Sequence, residues 1–191
     1  VFKAIWLGAN DATIKLPTTS QHVPIEETKE NLTAIITHPN VKSHNPKIFV
    51  LLPPPVDEIK LTEVDVKNGH ETATRRSEVT AKYAQAVREA AETNGVKSID
   101  VFEAITNAAI KIAAPGEYTP GGPVLGSLEN GKRGGLESLL TDGLHLSGAG
   151  YKVVFDALKR GVGEDWPKQG TEDDRSDYVY PDWRVLNPME E

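Results

Sequence analysis

The chain has 191 residues, 28 acidic and 21 basic side chains, a net charge of -7 and no cysteine. That length can bury one sizeable core. The negative balance argues against nucleic acid and an anionic membrane surface as partners, the missing cysteine excludes disulfides, thiolate metal sites and a cysteine nucleophile, and no apolar run approaches the ~20 residues of a membrane helix.

Val1–Leu7 reads as a core strand, and Gly8-Ala9-Asn10-Asp11 as the loop at its C-terminal end. A fold rarely begins in mid-core, so residues before Val1 are expected, either removed or carried on a companion chain. Cysteine absence leans towards the cytoplasm, while secretion stays open because a removed leader leaves no trace. Pro24 suits the first turn of a helix, Glu26 and Glu27 suit its positive end, and Leu32, Ile35 and Ile36 give it an apolar stripe. The sequon Asn31-Leu32-Thr33 falls inside that helix.

Lys47–Leu52 is a continuous apolar run, as expected of a strand covered on both faces, and Pro53-Pro54-Pro55 ends it. Residues 56–76 are dense in charge and read as a long irregular excursion, with Arg75-Arg76 as a solvated pair. Ser77 to Asn94 is the clearest helix, with Val79, Tyr83, Ala86, Val87 and Ala90 on one face and Asn94-Gly95 as its stop. Ile99–Phe102 reads as a short strand. Residues 115–135 carry seven glycines and three prolines and read as a loop. Ser147 caps a last helix through Leu158, with Tyr151, Val154, Phe155 and Leu158 facing inward. Alternating strands and helices predict a parallel sheet covered by helices, in one domain over residues 1–191. Its core is residues 1–163, with 164–191 an acidic tail packing on it.

Two short motifs can carry chemistry. In Asp142-Gly143-Leu144-His145, a carboxylate three residues before a histidine can reach the imidazole across a glycine turn. It can fix the tautomer and stabilise the imidazolium, as a serine hydrolase requires. Taken alone, the motif is more simply a polar turn before a capped helix. In Gly8-Ala9-Asn10-Asp11, a strand end delivers an amide that can donate to an oxyanion, and Gly8 permits close backbone approach. Taken alone, Asn-Asp is an ordinary turn pair. The strand-end position matters because α/β sheets bind ligands at the carboxyl ends of their strands.

Together the motifs resemble the SGNH (GDSL-like) hydrolases: Gly8-Ala9-Asn10-Asp11 resembles their G-x-N-D block and Asp142–His145 their D-x-x-H block. Gln21-His22-Val23-Pro24, Asn31-Leu32, Leu51–Pro55 and Pro181-Asp182-Trp183-Arg184 are similar to the isoamyl acetate-hydrolysing esterase subfamily. Residues 115–135 do not match and look like an insertion. The resemblance implies a three-layer, flavodoxin-like α/β sandwich lacking its N-terminal βα units. It implies a cofactor-free carboxylic ester hydrolase acting on small, acetate-type esters, with His145 as base, Asp142 as its partner and Asn10 in the oxyanion hole. Gly8, Asp11 and His22 would line the pocket.

The serine block and a second glycine block of that family are not found, so the nucleophile is expected outside this chain. Gly126-Ser127-Leu128 echoes the serine block, but it lies in the glycine-rich loop away from any strand end, which sets Ser127 aside. The other functions left open are a catalytically inactive relative that binds a ligand or partner, and a sugar or metabolite O-deacetylase. His38, His44 and His70 lack ligand spacing and read as surface residues. Trp183 reads as a packing anchor for the tail.

Overall fold

The computed structural model describes residues 2–163. The expected packing of the 164–191 tail, with Trp183 and the segment Pro181–Arg184, lies outside the described residues. Ten elements follow in chain order: β1 (Phe2–Trp6), α1 (Ile25–Thr37), α2 (Pro39–Lys42), β2 (Lys47–Leu51), α3 (Glu58–Lys67), α4 (Ser77–Thr93), β3 (Lys97–Ile99), α5 (Val101–Ile112), α6 (Leu136–Leu139) and α7 (Gly148–Val162).

The three strands form a parallel sheet in the order β1-β2-β3. Phe2 pairs with Lys47 through to Trp6 with Leu51, and Phe49 pairs with Lys97 through to Leu51 with Ile99. β2 is central, and its side chains alternate between two cores as strand geometry requires. Phe49 and Leu51 join Ile99, Ile105, Ala109, Leu136, Leu139, Val154 and Ala157. Val50 and Leu52 join Leu32, Ile36, Ala84, Val87 and Ala91. Thus α5, α6 and α7 cover one face and α1 and α4 the other, giving the three-layer α/β sandwich. Full burial of a Leu, Ile or Val side chain contributes ~1.5–3 kcal/mol, and Val50 and Leu52 are fully buried.

The structure corrects four expectations. Residues 56–76 are not irregular throughout, because α3 occupies Glu58–Lys67. The Asp57 carboxylate caps it by accepting from Lys60 N–H at 3.1 Å, and Leu61 and Asp65 are buried. The charge there is divided: Glu63 and Lys67 are exposed, whereas Glu58 and Asp65 are buried and accept from the Ser77 and Thr74 N–H groups. Next, the strand expected over Ile99–Phe102 ends at Ile99. Asp100 accepts from Glu103 N–H at 2.8 Å and starts α5 at Val101. Third, Tyr151 and Phe155 do not face inward; they are 58% and 43% exposed. A Cβ on Gly150 would lie 2.3 Å from the Leu139 carbonyl oxygen, and one on Gly161 would lie 2.7 Å from Ile99. The close-packed line of α7 therefore runs through 150, 154, 157 and 161, and Tyr151 and Phe155 lie about 100° round from it. Finally, Arg75 is not solvated. It is only 5% exposed, and it belongs to the site.

Candidate active site

The Asp142–His145 turn is a closed unit. Leu140 and Leu146 form an antiparallel bridge across it, and the His145 carbonyl accepts from Thr141 N–H at 2.8 Å. Gly143 has φ +92°, a conformation costly to other residues. One Asp142 oxygen accepts from the backbone N–H groups of Leu144 and His145 at 3.0 and 2.8 Å. The other lies 2.7 Å from His145 Nδ1. Burial works against the Asp142 charge. The bonds from the His145 imidazole and the two backbone N–H groups outweigh it and hold the carboxyl below its ordinary value. The His145 side chain is 75% exposed, so the edge of the ring away from Asp142 is accessible to a reactant. Downstream, Ser147 Oγ accepts from Gly150 N–H and donates to the Ser138 carbonyl, fixing the turn to α7 and α6.

The second half of the site follows β1. Gly8 is buried with φ +100°, and a Cβ there would press on Val87 at 3.2 Å. The Gly8 carbonyl accepts from Ala12 N–H, and the Asn10 carbonyl accepts from both the N–H and the hydroxyl of Thr13, so the loop is a tight turn with the Asn10 side chain outward. Arg75, from the segment before α4, is buried against this loop. Its Nε donates to the Ala9 carbonyl at 2.9 Å, and its Nη2 donates to Asn10 Oδ1 at 2.9 Å and to Gln21 Oε1 at 3.0 Å. Nη1 donates to Thr74 Oγ1. Burial depresses the guanidinium's pKa, while the negative charges of Asp65 and Asp142 act to raise it.

Those halves share one end of the sheet. Asn10 leaves the C-terminal end of β1. The chain beyond the C-terminal end of β2 carries Asp57, whose N–H donates to the Gly143 carbonyl at 2.9 Å.

The remaining sequence candidates divide. His22 is half-buried, with Nδ1 2.7 Å from the Thr13 carbonyl, which ties it to the Asn10 turn. Asp11 accepts from the Thr28 hydroxyl at 2.9 Å and its carbonyl accepts from Val23 N–H, so it braces α1 against the loop. The Ser127 hydroxyl donates to the Val124 carbonyl and accepts from Asn130 N–H inside its own turn. Among the described residues no serine hydroxyl bonds to His145, and no cluster of three or more His, Asp and Glu side chains is arranged to hold a metal ion. His38 accepts from Asn40 N–H at the start of α2, and His70 meets the Thr18 hydroxyl at 2.7 Å. The residue that sequence reasoning missed is Arg75. A three-residue polar cluster, Thr74-Arg75-Arg76, reads as surface, and only the long-range packing shows otherwise.

An exposed imidazole locked to a carboxylate, and an outward amide following a strand at the same end of an α/β sandwich, are features known among ester hydrolases. The profile of the GDSL-like lipase/acylhydrolase family matches residues 4–158, and the chain belongs to that family. It is 29% identical over 171 residues to a GDSL esterase/lipase of Arabidopsis thaliana, covering 87% of this chain and 61% of the relative. It is 26% identical over 183 residues to the isoamyl acetate-hydrolyzing esterase 1 homolog of Bos taurus, covering 95% and 61%. With the isoamyl acetate-hydrolyzing esterase of Saccharomyces cerevisiae it shares 27% over 184 residues, covering 96% and 65%. The chain therefore spans 61% of the length of the first two relatives. Among solved structures, the lipase/acylhydrolase from Enterococcus faecalis matches with a TM-score of 0.55 at 21% identity, covering 87% of this chain and 64% of that one. An acetylxylan esterase from Geobacillus stearothermophilus matches at 0.53 and 22%, covering 87% and 61%. At these identities the likeness establishes the shared fold.

Proposed function

We propose that this chain supplies the base, its carboxylate partner and the oxyanion donor of a serine carboxylic ester hydrolase, and that the nucleophilic serine lies outside these 191 residues. The observation that carries the reading is the 2.7 Å contact between His145 Nδ1 and Asp142, whose carboxylate is itself anchored by two backbone N–H groups. In that geometry Nδ1–H donates to Asp142, and Nε2 is left as the acceptor. The serine hydroxyl attacks the ester carbonyl as Nε2 takes its proton, forming a tetrahedral intermediate whose oxyanion accepts from Asn10 Nδ2. The alcohol leaves with the proton from the imidazolium, and an acyl-serine remains. Water then attacks with the same base, and the carboxylic acid departs. Asp142 stays ionised throughout and stabilises the imidazolium.

A small acyl group, acetate above all, is the substrate class, in keeping with relatives named for isoamyl acetate hydrolysis. An acetylated sugar or metabolite presents the same acyl group to the same machinery and differs in its alcohol. The test uses the complete polypeptide with its upstream segment. Hydrolysis of isoamyl acetate and of an acetylated sugar is measured before and after replacing the upstream serine by alanine, and His145 by alanine. Turnover lost in both variants supports the reading. A complete, folded polypeptide that hydrolyses neither ester would leave this chain as a ligand-binding relative.

A further inference from the structure

We infer that Arg75 is a positioning residue for the oxyanion donor: it fixes which way the Asn10 carboxamide faces and strengthens its N–H. The inference rests on the oxyanion role proposed for Asn10 and deepens it.

An outward asparagine on a turn has two amide orientations of similar shape, and only one presents N–H groups to a substrate oxygen. Here the choice is made by a group that has no acceptor. A guanidinium only donates, so the Asn10 atom 2.9 Å from Arg75 Nη2 is the carbonyl oxygen, and Nδ2 faces the other way. The guanidinium cannot rotate to release it. Its Nε is bound to the Ala9 carbonyl, in the residue just before Asn10, and Nη2 also holds Gln21 Oε1. Two bonds from one rigid fork to adjacent residues set the side chain relative to its own backbone.

The same contact has an electrostatic consequence. A cation on the carbonyl oxygen withdraws charge through the amide, so Nδ2–H becomes a better donor, an effect that burial enlarges. Arg75 is assigned a positioning rather than a catalytic role because it is 5% exposed and its guanidinium is engaged by four protein acceptors, on Ala9, Asn10, Gln21 and Thr74. Lysine would keep the charge but lose the fork, and its ammonium could not hold all these acceptors in one plane.

The experiment is a double-mutant cycle in the complete enzyme, with kcat and KM for an acetate ester and melting temperature measured for each variant. Arg75→Met should lower kcat by up to about 10²-fold, the scale expected when a reacting group is misplaced by about 1 Å, with KM changed far less. In the Asn10→Ala background the Arg75 change should have almost no further effect, since the residue acts through Asn10. Removing a buried cation near Asp65 risks unfolding, so Arg75→Lys is run in parallel. It should show a smaller kcat loss that again vanishes with Asn10→Ala. A folded Arg75 variant with unchanged kcat overturns the inference, as does a loss that adds in full to Asn10→Ala or appears in KM alone. If Asn10→Ala itself leaves kcat intact, the oxyanion role falls and the inference with it. If Asn10→Ala is costly and the Arg75 loss is additive, the oxyanion role stands and only the inference fails.

Discussion

The backbone N–H of Asp57 donates to the carbonyl of Gly143 at 2.9 Å, so the segment leaving β2 is the ledge on which the Asp142–His145 turn sits. Asp57 is fully buried, and its carboxylate also accepts from Arg133 Nε at 2.6 Å. One residue therefore ties the Asp142–His145 turn, the start of α3 and the glycine-rich loop together. The approach is close: a Cβ on Gly143 would stand 2.6 Å from both the Asp57 carbonyl oxygen and the Leu61 nitrogen. Gly143→Ala should cost about 1–3 kcal/mol of stability from backbone strain alone, seen as a lower melting temperature. The displaced turn should also lower kcat. A variant with parental melting temperature and turnover would show that the ledge does not constrain the turn.

Asp142→Asn in the complete enzyme should lose catalysis by orders of magnitude while the fold survives. The equivalent change in a well-studied serine protease costs about 10⁴. An amide can still accept from the Leu144 and His145 N–H groups, but it cannot stabilise an imidazolium. Near-parental turnover in a folded variant would remove Asp142 from the triad.

Asn10→Ala should reduce kcat by roughly 10²–10³ with a smaller effect on KM, because the donor acts mainly on charge that develops in the transition state. A raised KM with kcat held would instead make Asn10 a substrate-binding residue.

The lowered pKa of Asp142 sets the sign of a pH effect. A carboxylate whose folded value lies below its unfolded value adds stability that is fully present above the unfolded value, about 3.9. That stability is lost as pH falls through the lower folded value. The part of the melting-temperature gap between parent and Asp142→Asn that comes from this shift should be lost in the acid range below about 4. A gap undiminished in that acid range would contradict the hydrogen-bonding account of the shift.

Residues 1–191 alone should hydrolyse a chromogenic acetate ester little better than free imidazole, because triad members act as a unit. Adding the upstream segment should restore turnover. Vigorous hydrolysis by the lone chain, blocked by a serine-directed organophosphate, would place a nucleophile inside it, with Ser127 the first to mutate.

The two candidate motifs were legible because they are local. Asp142 and His145 are three residues apart, and Asn10 follows a strand that is apolar from its first residues, so pattern and turn chemistry suffice. The sheet was legible for a similar reason: β2 is apolar on both faces, which only a doubly covered strand explains. Long-range packing was not legible. Arg75 lies next to Arg76 in a charged stretch, and nothing nearby reveals that one side chain is buried and the other exposed. The helix α3 was hidden because charged residues stand on both its faces, Glu58 and Asp65 being buried. Tyr151 and Phe155 were misread because large apolar residues weigh heavily in a helical pattern, while the glycines that set the contact line of α7 weigh nothing.

The two halves of the site differ in how far along the chain their restraints reach. The Asp142–His145 bond spans three residues, whereas the Arg75–Asn10 bond spans 65. The first closes within one turn, and that turn rests on the segment leaving the central strand β2. The second exists only while β1 and the start of α4 remain docked. Partial loosening of the domain, by heat, denaturant or a distant core substitution, would scramble the amide before it disturbs the imidazole. On the roles proposed for these residues, the base would survive in that state while the oxyanion donor is misplaced, so turnover of the complete polypeptide should decline ahead of the global unfolding transition.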